Sequence, residues 1–281
     1  MSRKKNTKII AITLQKGGSG KSAVSVNLAA YLSILRPTKN SKRYKVLVVD
    51  GDVHATATHY LNVYDETDLG FYDVLAGNCE FDDAIKTVDY EYGKAGGTCY
   101  IDIIPSFKHL HTIEEEWLHY DDPKNLFANS IAKSKKIHEY DFVIVDCPSE
   151  GDCLLSNIYN VCDYYIIPLF AETESFRNLG ITYEQVNELS TNGRKKNFLG
   201  CVINNFKRTD LSLEYQEKIM SIDYINCFNT VIPYSTRYDE SSLFQMPIPF
   251  YHRNVRNMER INRAFKSFAV EVVDLLKNNQ F

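Results

Sequence analysis

The chain has 281 residues, of which 44% are hydrophobic and 24% charged, and a formal net charge of −4 at pH 7. This composition is typical of a globular protein with a large core, and the apolar runs are too short to cross a membrane. Seven cysteines occur without a CxxC pair, which argues against a disulfide framework or a zinc ribbon and favours a reducing, cytoplasmic compartment. With this net charge, any contact with nucleic acid must come from local basic patches.

Short apolar runs, most of them β-branched, alternate with helical patterns along the chain. Strands are predicted at 8–14, 45–49, 100–104, 142–145, 164–167, 198–203 and 230–232, and helices at 22–35, 123–138, 175–189 and 213–222. The alternation indicates βαβ units, and hence an α/β fold with a mostly parallel sheet flanked by helices on both faces. Because there is no internal repeat and no low-complexity linker, we expect a single domain over residues 1–281.

A glycine-rich loop, LQKGGSGKS at residues 14–22, lies between the first predicted strand and the first predicted helix. Glycines let backbone N–H groups surround phosphate oxygens, and the helix N-terminus adds partial positive charge. In this context we expect Lys21 to contact the β- and γ-phosphates and the Ser22 hydroxyl to ligate Mg²⁺. A glycine-rich turn without a ligand is the alternative, and the strand and helix on either side favour the phosphate site. Gln15 occupies the place of the first glycine in the general GxxxxGK pattern.

Lys16 completes the deviant form of the motif, KGGxGK followed by Ser or Thr, and here the chain resembles the ParA/MinD family of P-loop ATPases. In that family the early lysine reaches across a dimer interface to the partner's nucleotide. The resemblance implies an ATP-dependent homodimer, ATP and Mg²⁺ as cofactors, and a catalytic role for Lys16 and Lys21. It also implies a nucleotide cradle formed by Lys16, Gly17, Gly18, Ser19, Gly20, Lys21, Ser22 and Ala23. If a partner chain supplies this lysine, hydrolysis requires dimerisation. The reason is that phosphoryl transfer needs a positive charge near the negative charge that develops on the phosphate oxygens.

KVLVVDGD, residues 45–52, resembles the second strand of this family, which ends in a DxD motif. The resemblance implies that Asp50 supports the Mg²⁺ shell and that Asp52 orients the attacking water. Carboxylates at the carboxyl end of a strand lie where open α/β sheets bind ligands. The family usually continues with Pro-Gln, whereas this chain has Val53 and His54.

YDFVIVDCPSEGD, residues 140–152, resembles the Walker B strand of the family, with Asp146 after four apolar residues. The resemblance implies that Asp146 holds Mg²⁺, in part through water, since Mg²⁺ keeps some of its hydration shell. Ser149 replaces the second proline of the usual DxPP pattern.

Two later segments resemble the base-binding part of the family. GCVINNF, residues 200–206, matches the strand whose terminal asparagine contacts adenine, which implies this role for Asn204, with Asn205 as an alternative. The segment at 231–248 resembles the IPR…E…G.P stretch and implies that Pro233 lies near the base, although Tyr234 replaces the arginine. The resemblance thus covers residues 8–248.

The C-terminal segment predicts an amphipathic helix at about 255–277. Its apolar stripe comprises Met258, Ile261, Phe265, Phe268, Val272 and Leu275. Its basic face comprises Arg253, Arg256, Arg260, Arg263 and Lys266, and Arg237, Lys207 and Arg208 precede the helix. A solvated basic face is one interpretation. Since ParA proteins bind non-specific DNA when ATP is bound, the resemblance implies a phosphate-backbone grip by Arg237, Arg253, Arg256, Arg260 and Arg263.

Three further features do not form an identifiable site. His109 and His111, followed by the acidic run at 114–116, are interpreted as a solvated loop rather than a metal site. Cys153 is interpreted as a helix-packing cysteine. The basic run RPTKNSKRYK, residues 36–45, lengthens the turn before the second strand and has no role that the sequence identifies.

Partition of a plasmid or chromosome is the function that the resemblance favours. It implies an ATP-bound dimer on non-specific double-stranded DNA at the nucleoid, released when a ParB-like centromere-binding protein stimulates hydrolysis. A MinD-like ATPase that cycles on membranes is the alternative, but DLLKNNQF at the C-terminus is short and polar for an amphipathic anchor, so no membrane partner is expected. An enzyme-subunit ATPase of the nitrogenase-iron-protein or tyrosine-kinase type is disfavoured by the cysteine and tyrosine patterns.

Overall fold

The computed structural model describes residues 7–92, 97–117, 120–189, 197–222, 225–251 and 258–278. Within these ranges the chain forms one eight-stranded sheet. The strands are β1 Lys8–Ile12, β2 Val46–Asp50, β3 Lys86–Tyr92, β4 Gly97–Ile104, β5 Phe142–Asp146, β6 Tyr164–Leu169, β7 Asn197–Phe206 and β8 Cys227–Pro233. The helices are α1 Lys21–Ile34, α2 Thr56–Tyr60, α3 Phe71–Ala76, α4 Ile113–Glu116, α5 Leu126–Lys133, α6 Asp152–Val161, α7 Thr173–Leu189, α8 Asp210–Met220, α9 Arg237–Leu243 and α10 Met258–Asn278.

The strand order β3-β4-β2-β5-β1-β6-β7-β8 places the first strand near the middle of the sheet. All neighbouring pairs are parallel except β3 and β4. The carboxyl ends of the parallel strands therefore meet at one edge. There the register pairs Asp146 of β5 with Ile12 of β1 on one side and with Asp50 of β2 on the other. This arrangement confirms the predicted α/β fold.

Helices cover both faces of the sheet and bury an apolar core on each. Alternate residues of β2 contribute to opposite faces, with Val48 in one core and Val49 in the other. Helices α1 and α10 cover the first face, and α6 and α7 cover the second. Because the strands are apolar on both sides, they appear in the sequence as nearly continuous hydrophobic runs.

Helix α10 packs its predicted apolar stripe against α1. Met258, Ile261, Phe265, Phe268 and Val272 are buried, and Leu275 is partly buried against the same core. The rings of Phe265 and Tyr31 are stacked with centroids 6.0 Å apart. On the other side of α10, Arg260, Arg263 and Lys266 are exposed. The predicted start of this helix, 255–257, lies outside the described residues.

Several elements differ from the sequence-based predictions. Helices α2, α3, α4, α6 and α9 were not among the predicted helices. Strand β3 was not predicted because it is a mostly polar edge strand in which Tyr90 alone is buried. The predicted helix at 123–138 is shorter: α5 ends at Lys133 because Ser134 is extended, and a 3-10 turn follows at Ile137–Glu139. In the described ranges, no helix combines the length and the apolar character that crossing a bilayer requires.

Candidate nucleotide-binding and active site

The loop between β1 and α1 presents its backbone at the carboxyl edge of the sheet. Gly18 and Gly20 have φ of 70° and 81°, in the left-handed region that favours glycine. A Cβ on Gly20 would lie 2.5 Å from Nδ2 of Asn204, so glycine is required there for space as well. Ser19 is buried, and its Oγ donates a hydrogen bond to the Lys16 carbonyl at 3.1 Å. The local geometry therefore leaves a tight loop of the kind that binds phosphate.

The Lys21 side chain is folded across this loop and is only 5% exposed. Its Nζ donates to the carbonyls of Leu14 at 3.2 Å and Lys16 at 3.0 Å and to Ser149 Oγ at 2.7 Å. Burial lowers the pKa of Lys21, and the nearby Asp146 carboxylate opposes this shift. Because all three acceptors are neutral, a phosphate would be a stronger partner for the ammonium group. The rest of the predicted cradle surrounds this amine, with Gly17 exposed and Ser22 and Ala23 half-buried in the first turn of α1.

Asp146 is the most strongly perturbed carboxyl group at this edge. Burial, followed by the proximity of Asp50, raises its pKa to about 8, and the hydroxyls of Ser22 and Ser25 oppose the rise. Ser25 Oγ donates to Asp146 Oδ1 at 2.9 Å. The other oxygen, Oδ2, is buried and has no hydrogen-bond partner among the described residues. An orphaned carboxylate oxygen beside a serine hydroxyl fits an oxygen-ligated cation such as Mg²⁺.

Asp50 lies directly beside Asp146 but is fully engaged by protein donors. Its Oδ1 accepts from the Asp52 amide at 3.1 Å, and its Oδ2 accepts from the amide and hydroxyl of Thr58 at 2.8 and 2.7 Å. Burial raises its pKa to about 6, and these hydrogen bonds oppose the shift. Asp50 therefore suits an indirect role near a cation, whereas Asp146 has an oxygen without a hydrogen bond that could bind the cation directly.

Asp52 lies at the rim of the same edge, with its side chain 12% exposed. Its Oδ1 accepts a hydrogen bond from the His54 amide at 2.9 Å and lies 2.8 Å from His54 Nδ1. Thus the residue that departs from the family pattern contacts the carboxylate predicted to orient water. The imidazole itself is largely exposed, with 81% of the side chain accessible.

Lys16 points away from the loop toward the start of α7. Its Nζ lies 2.8 Å from Glu172 Oε1 and 2.8 Å from Glu174 Oε2. Hydrogen bonds to these two carboxylates raise the pKa of Lys16. The lysine predicted to act on a partner's nucleotide is therefore held by glutamates of its own chain.

The predicted base-binding residues lie next to the loop. Asn204 is buried with its amide against Gly20, and its Oδ1 accepts a hydrogen bond from the Tyr238 hydroxyl at 3.2 Å. Pro233, at the end of β8, is buried and pairs in register with Phe206. The structure thus brings Asn204 to the phosphate loop, while its contact with adenine stays a prediction, as does the alternative Asn205.

The predicted DNA-binding residues separate into three groups. Arg260 and Arg263 of α10 line a cleft of 700 Å³ together with Arg208. Arg237 is paired with Glu240 within α9, and its side chain is only 19% exposed. Arg253 and Arg256 lie outside the described residues. The three arginines of the cleft share it with Glu259 and with Pro233, the residue predicted to lie near adenine.

Several residues that shape the site had no clear signal in the sequence. Ser25, Thr58 and Tyr238 are ordinary helix residues by pattern, and only the fold places them against Asp146, Asp50 and Asn204. Of the other features, Cys153 packs beside the second core, with its Sγ 3.6 Å from the Pro123 carbonyl. The described part of the chain contains no group of three or more His, Cys, Asp or Glu residues that could hold a metal.

Comparisons with known proteins identify the family of the chain. A family described as AAA domain matches residues 7–199. The chain is 29% identical over 257 residues to the sporulation initiation inhibitor protein Soj of Bacillus subtilis, with 90% of this chain and 94% of Soj covered. It is 25% identical over 249 residues to the chromosome partitioning protein ParA of Myxococcus xanthus, with 87% and 81% covered.

Among solved structures, a plasmid partition protein of Borrelia burgdorferi B31 bound to AMPPNP superposes with a TM-score of 0.74 at 23% identity, covering 97% of this chain and 99% of that one. At this level of identity the superposition establishes a shared fold.

Proposed function

Because the chain belongs to the ParA/MinD-type P-loop ATPases, within the AAA domain family, we propose that it is a DNA partition ATPase that hydrolyses ATP with Mg²⁺. The observation that supports this proposal most directly is the convergence of Lys21, Asp146 and Asp50 at one edge of the sheet. A relative that partitions chromosomes, ParA of Myxococcus xanthus, aligns over most of the chain.

In the proposed reaction, the loop amides and Lys21 bind the β- and γ-phosphates of ATP. Lys21 would exchange its bonds to two carbonyls and Ser149 for charge-assisted bonds to phosphate. Ser22 and Asp146 would hold Mg²⁺, with Asp50 in support, and the ion supplies charge neutralisation at the phosphates. Asp52 orients the attacking water from the rim of the site.

Dimerisation would complete the site through Lys16. In the single chain the Lys16 amine is paired with Glu172 and Glu174, so it must leave both carboxylates before it can reach a partner's nucleotide. Phosphate is a comparably strong partner, so the exchange replaces two half-exposed ion pairs with a more enclosed one. Hydrolysis would then depend on the dimer.

The ATP-bound dimer is proposed to bind the phosphate backbone of double-stranded DNA. Arg208, Arg260 and Arg263 line one cleft at the exposed side of α10, and such contacts are independent of base sequence. A ParB-like centromere-binding protein would stimulate hydrolysis and release the DNA, which places the protein at the nucleoid in the cytoplasm.

The ATPase rate distinguishes this proposal from a membrane-cycling ATPase. We expect random-sequence duplex DNA to change the rate of ATP hydrolysis or retain the ATP-bound protein, and liposomes to do neither. Lys21→Ala is the control, because its hydrolysis should be lost under every condition. Stimulation by liposomes alone would contradict the partition function while leaving the ATPase assignment intact.

A further inference from the structure

The basic run between α1 and β2 forms one wall of a second cleft, far from the phosphate loop. The cleft has a volume of 760 Å³ and is completed by the first residues of β2 and by β4, including Val46, Gly97 and Tyr100. Val46 and Gly97 are the first residues of their strands, and Tyr100 is in the first half of β4. The nucleotide site lies at the carboxyl ends, so the two sites occupy opposite edges of the sheet.

Cations without acidic partners line this cleft. Arg36, Lys42 and Arg43 all contribute to its wall, and no carboxylate in the described ranges pairs with any of them. Lys45 also lines the cleft, but its amine is neutralised by Glu139 at 2.7 Å. Three positive side chains in one concavity attract an anion.

The acidic residue among the described lining residues is Asp102, and its carboxylate is already satisfied. Its Oδ1 accepts from Thr87 Oγ1 at 2.6 Å and its Oδ2 from the Tyr140 hydroxyl at 2.7 Å. Asp102 forms no ion pair with a described cation, and its single negative charge is outnumbered by those of Arg36, Lys42 and Arg43.

Arg43 is held in a fixed orientation within the cleft. Its Nη1 donates to the Thr98 carbonyl at 2.7 Å and to Cys99 Sγ at 2.8 Å, and the guanidinium lies 5.7 Å from the centre of the Tyr92 ring. Its buried Nε has no hydrogen-bond partner among the described residues. Because Nη1 already has two acceptors and Nε is buried, Nη2 is the nitrogen of this pre-oriented guanidinium that we expect to donate to a phosphate.

The size of the cleft suits a small molecule. Its volume falls within the range of small-molecule sites, roughly 300–1,000 Å³. Tyr100, which is 59% exposed, offers an aromatic surface at the cleft.

We propose that this cleft, defined by Arg36, Lys42, Arg43 and Tyr100, is a second anion-binding site that takes a small phosphorylated molecule. The site does not depend on the proposed ATPase chemistry, because none of its residues belongs to the phosphate loop. It gives a role to the basic run at 36–45, which the sequence did not explain.

The test uses inorganic pyrophosphate as the probe and Lys21→Ala as the background, so that the phosphate loop does not contribute. Isothermal titration should show one pyrophosphate bound per Lys21→Ala chain. Adding Arg36→Ala and Lys42→Ala should weaken this binding by about tenfold or more. The matched control adds Lys39→Ala and Lys133→Ala, two exposed lysines outside the cleft, and should leave the affinity unchanged.

Two results would overturn the proposal. One is the absence of pyrophosphate binding to Lys21→Ala, and the other is equal affinity in the cleft variant and its control. Co-sedimentation with phosphatidylglycerol vesicles separates a lipid headgroup from a free phosphate. Vesicle binding that is lost in the cleft variant, without pyrophosphate binding, would assign the surface to a membrane and contradict a small-molecule site. Because Arg36 and Lys42 are exposed, both variants should keep the wild-type melting temperature.

Discussion

At the scale of single residues, Lys21 connects the loop geometry to nucleotide binding. Its amine is buried and bonds only to neutral oxygens, so its removal deletes a charge-assisted phosphate contact and leaves the fold in place. Lys21→Ala should therefore lose ATP binding, by about 100-fold or more in dissociation constant. Isothermal titration with ATP and Mg²⁺ measures the change. Unchanged affinity would show that this loop does not bind the phosphates.

Asp52 should matter for hydrolysis more than for binding. Its carboxylate lies at the rim and contacts His54, whereas Asp146 and Ser22 are the residues proposed to hold Mg²⁺. Asp52→Ala should keep ATP affinity but hydrolyse slowly and accumulate as a dimer, because the water is no longer positioned. Size-exclusion chromatography with ATP provides the measurement. A variant that stays monomeric where the wild type dimerises would refute the assigned role.

The buried Asp146 predicts a pH dependence of stability in the absence of nucleotide and metal. Its folded pKa is raised to about 8, while an unfolded aspartate titrates at about 3.9. Between these values the folded state binds the additional proton, so the free energy of unfolding falls as pH rises. Asp146→Asn removes this pH-dependent decrease. Its free energy of unfolding should exceed that of the wild type by on the order of 2 kcal/mol at pH 8, and by less at pH 5.

Urea unfolding in EDTA at both pH values measures the effect. Asp274→Asn, an exposed carboxylate on α10, is the control and should show no such difference. Equal pH dependence in Asp146→Asn and the wild type would mean that Asp146 is ionised in the folded protein without ligand.

At the scale of elements, two glutamates at the start of α7 form ion pairs with Lys16. Two ion pairs, each worth at most about 1 kcal/mol at such exposure, must break before Lys16 can reach a partner. The double variant Glu172→Gln with Glu174→Gln removes both ion pairs of Lys16. It should lower the dissociation constant of the ATP-dependent dimer by about three- to tenfold. Sedimentation velocity measures the dimer, and Glu184→Gln with Glu188→Gln on the same helix is the control. If the variant without Glu172 and Glu174 dimerises no better than the control, the ion pairs do not oppose dimerisation.

Helix α10 stabilises the fold through its apolar stripe. Phe265 is fully buried against Tyr31 and Tyr238. Phe265→Ala should lower the free energy of unfolding by about 3–5 kcal/mol, because removing the ring leaves a cavity that the surrounding residues cannot fill. Val270→Ala, on the exposed side of the same helix, should cost less than about 0.5 kcal/mol. Denaturant unfolding compares the two, and similar losses would contradict the packing of α10.

The elements that could be predicted from the sequence are those whose two faces are buried. Strands such as β2 and β5 are apolar throughout, so their carboxyl-terminal aspartates could also be placed. Strand β3 could not be predicted, because it lies at the edge of the sheet, pairs with β4 alone and exposes polar side chains. The pairing of Lys16 with Glu174, 158 positions apart, depends on the docking of α7 and has no local signal.

At the scale of the whole molecule, the proposed ATP-bound dimer would bind DNA by charge despite a net charge of −4 per chain. Each phosphate contact releases a counterion, so log affinity should fall linearly with log salt. Of the described residues proposed to bind DNA, Arg208, Arg260 and Arg263 line one cleft. ATP affinity should be kept in variants of this cleft, and it is measured separately because Pro233, predicted to lie near adenine, lines the same cleft.

Fluorescence anisotropy of a random duplex across a salt series tests the central claim most directly. The wild type should bind only with ATP, and Arg260→Ala with Arg263→Ala should weaken binding and flatten the salt slope by about 0.9 per lost contact. Lys133→Ala with Lys277→Ala, which removes equal charge outside the cleft, should leave the slope unchanged. Binding that ignores ATP, or a cleft variant with the slope and affinity of this control, would contradict the account.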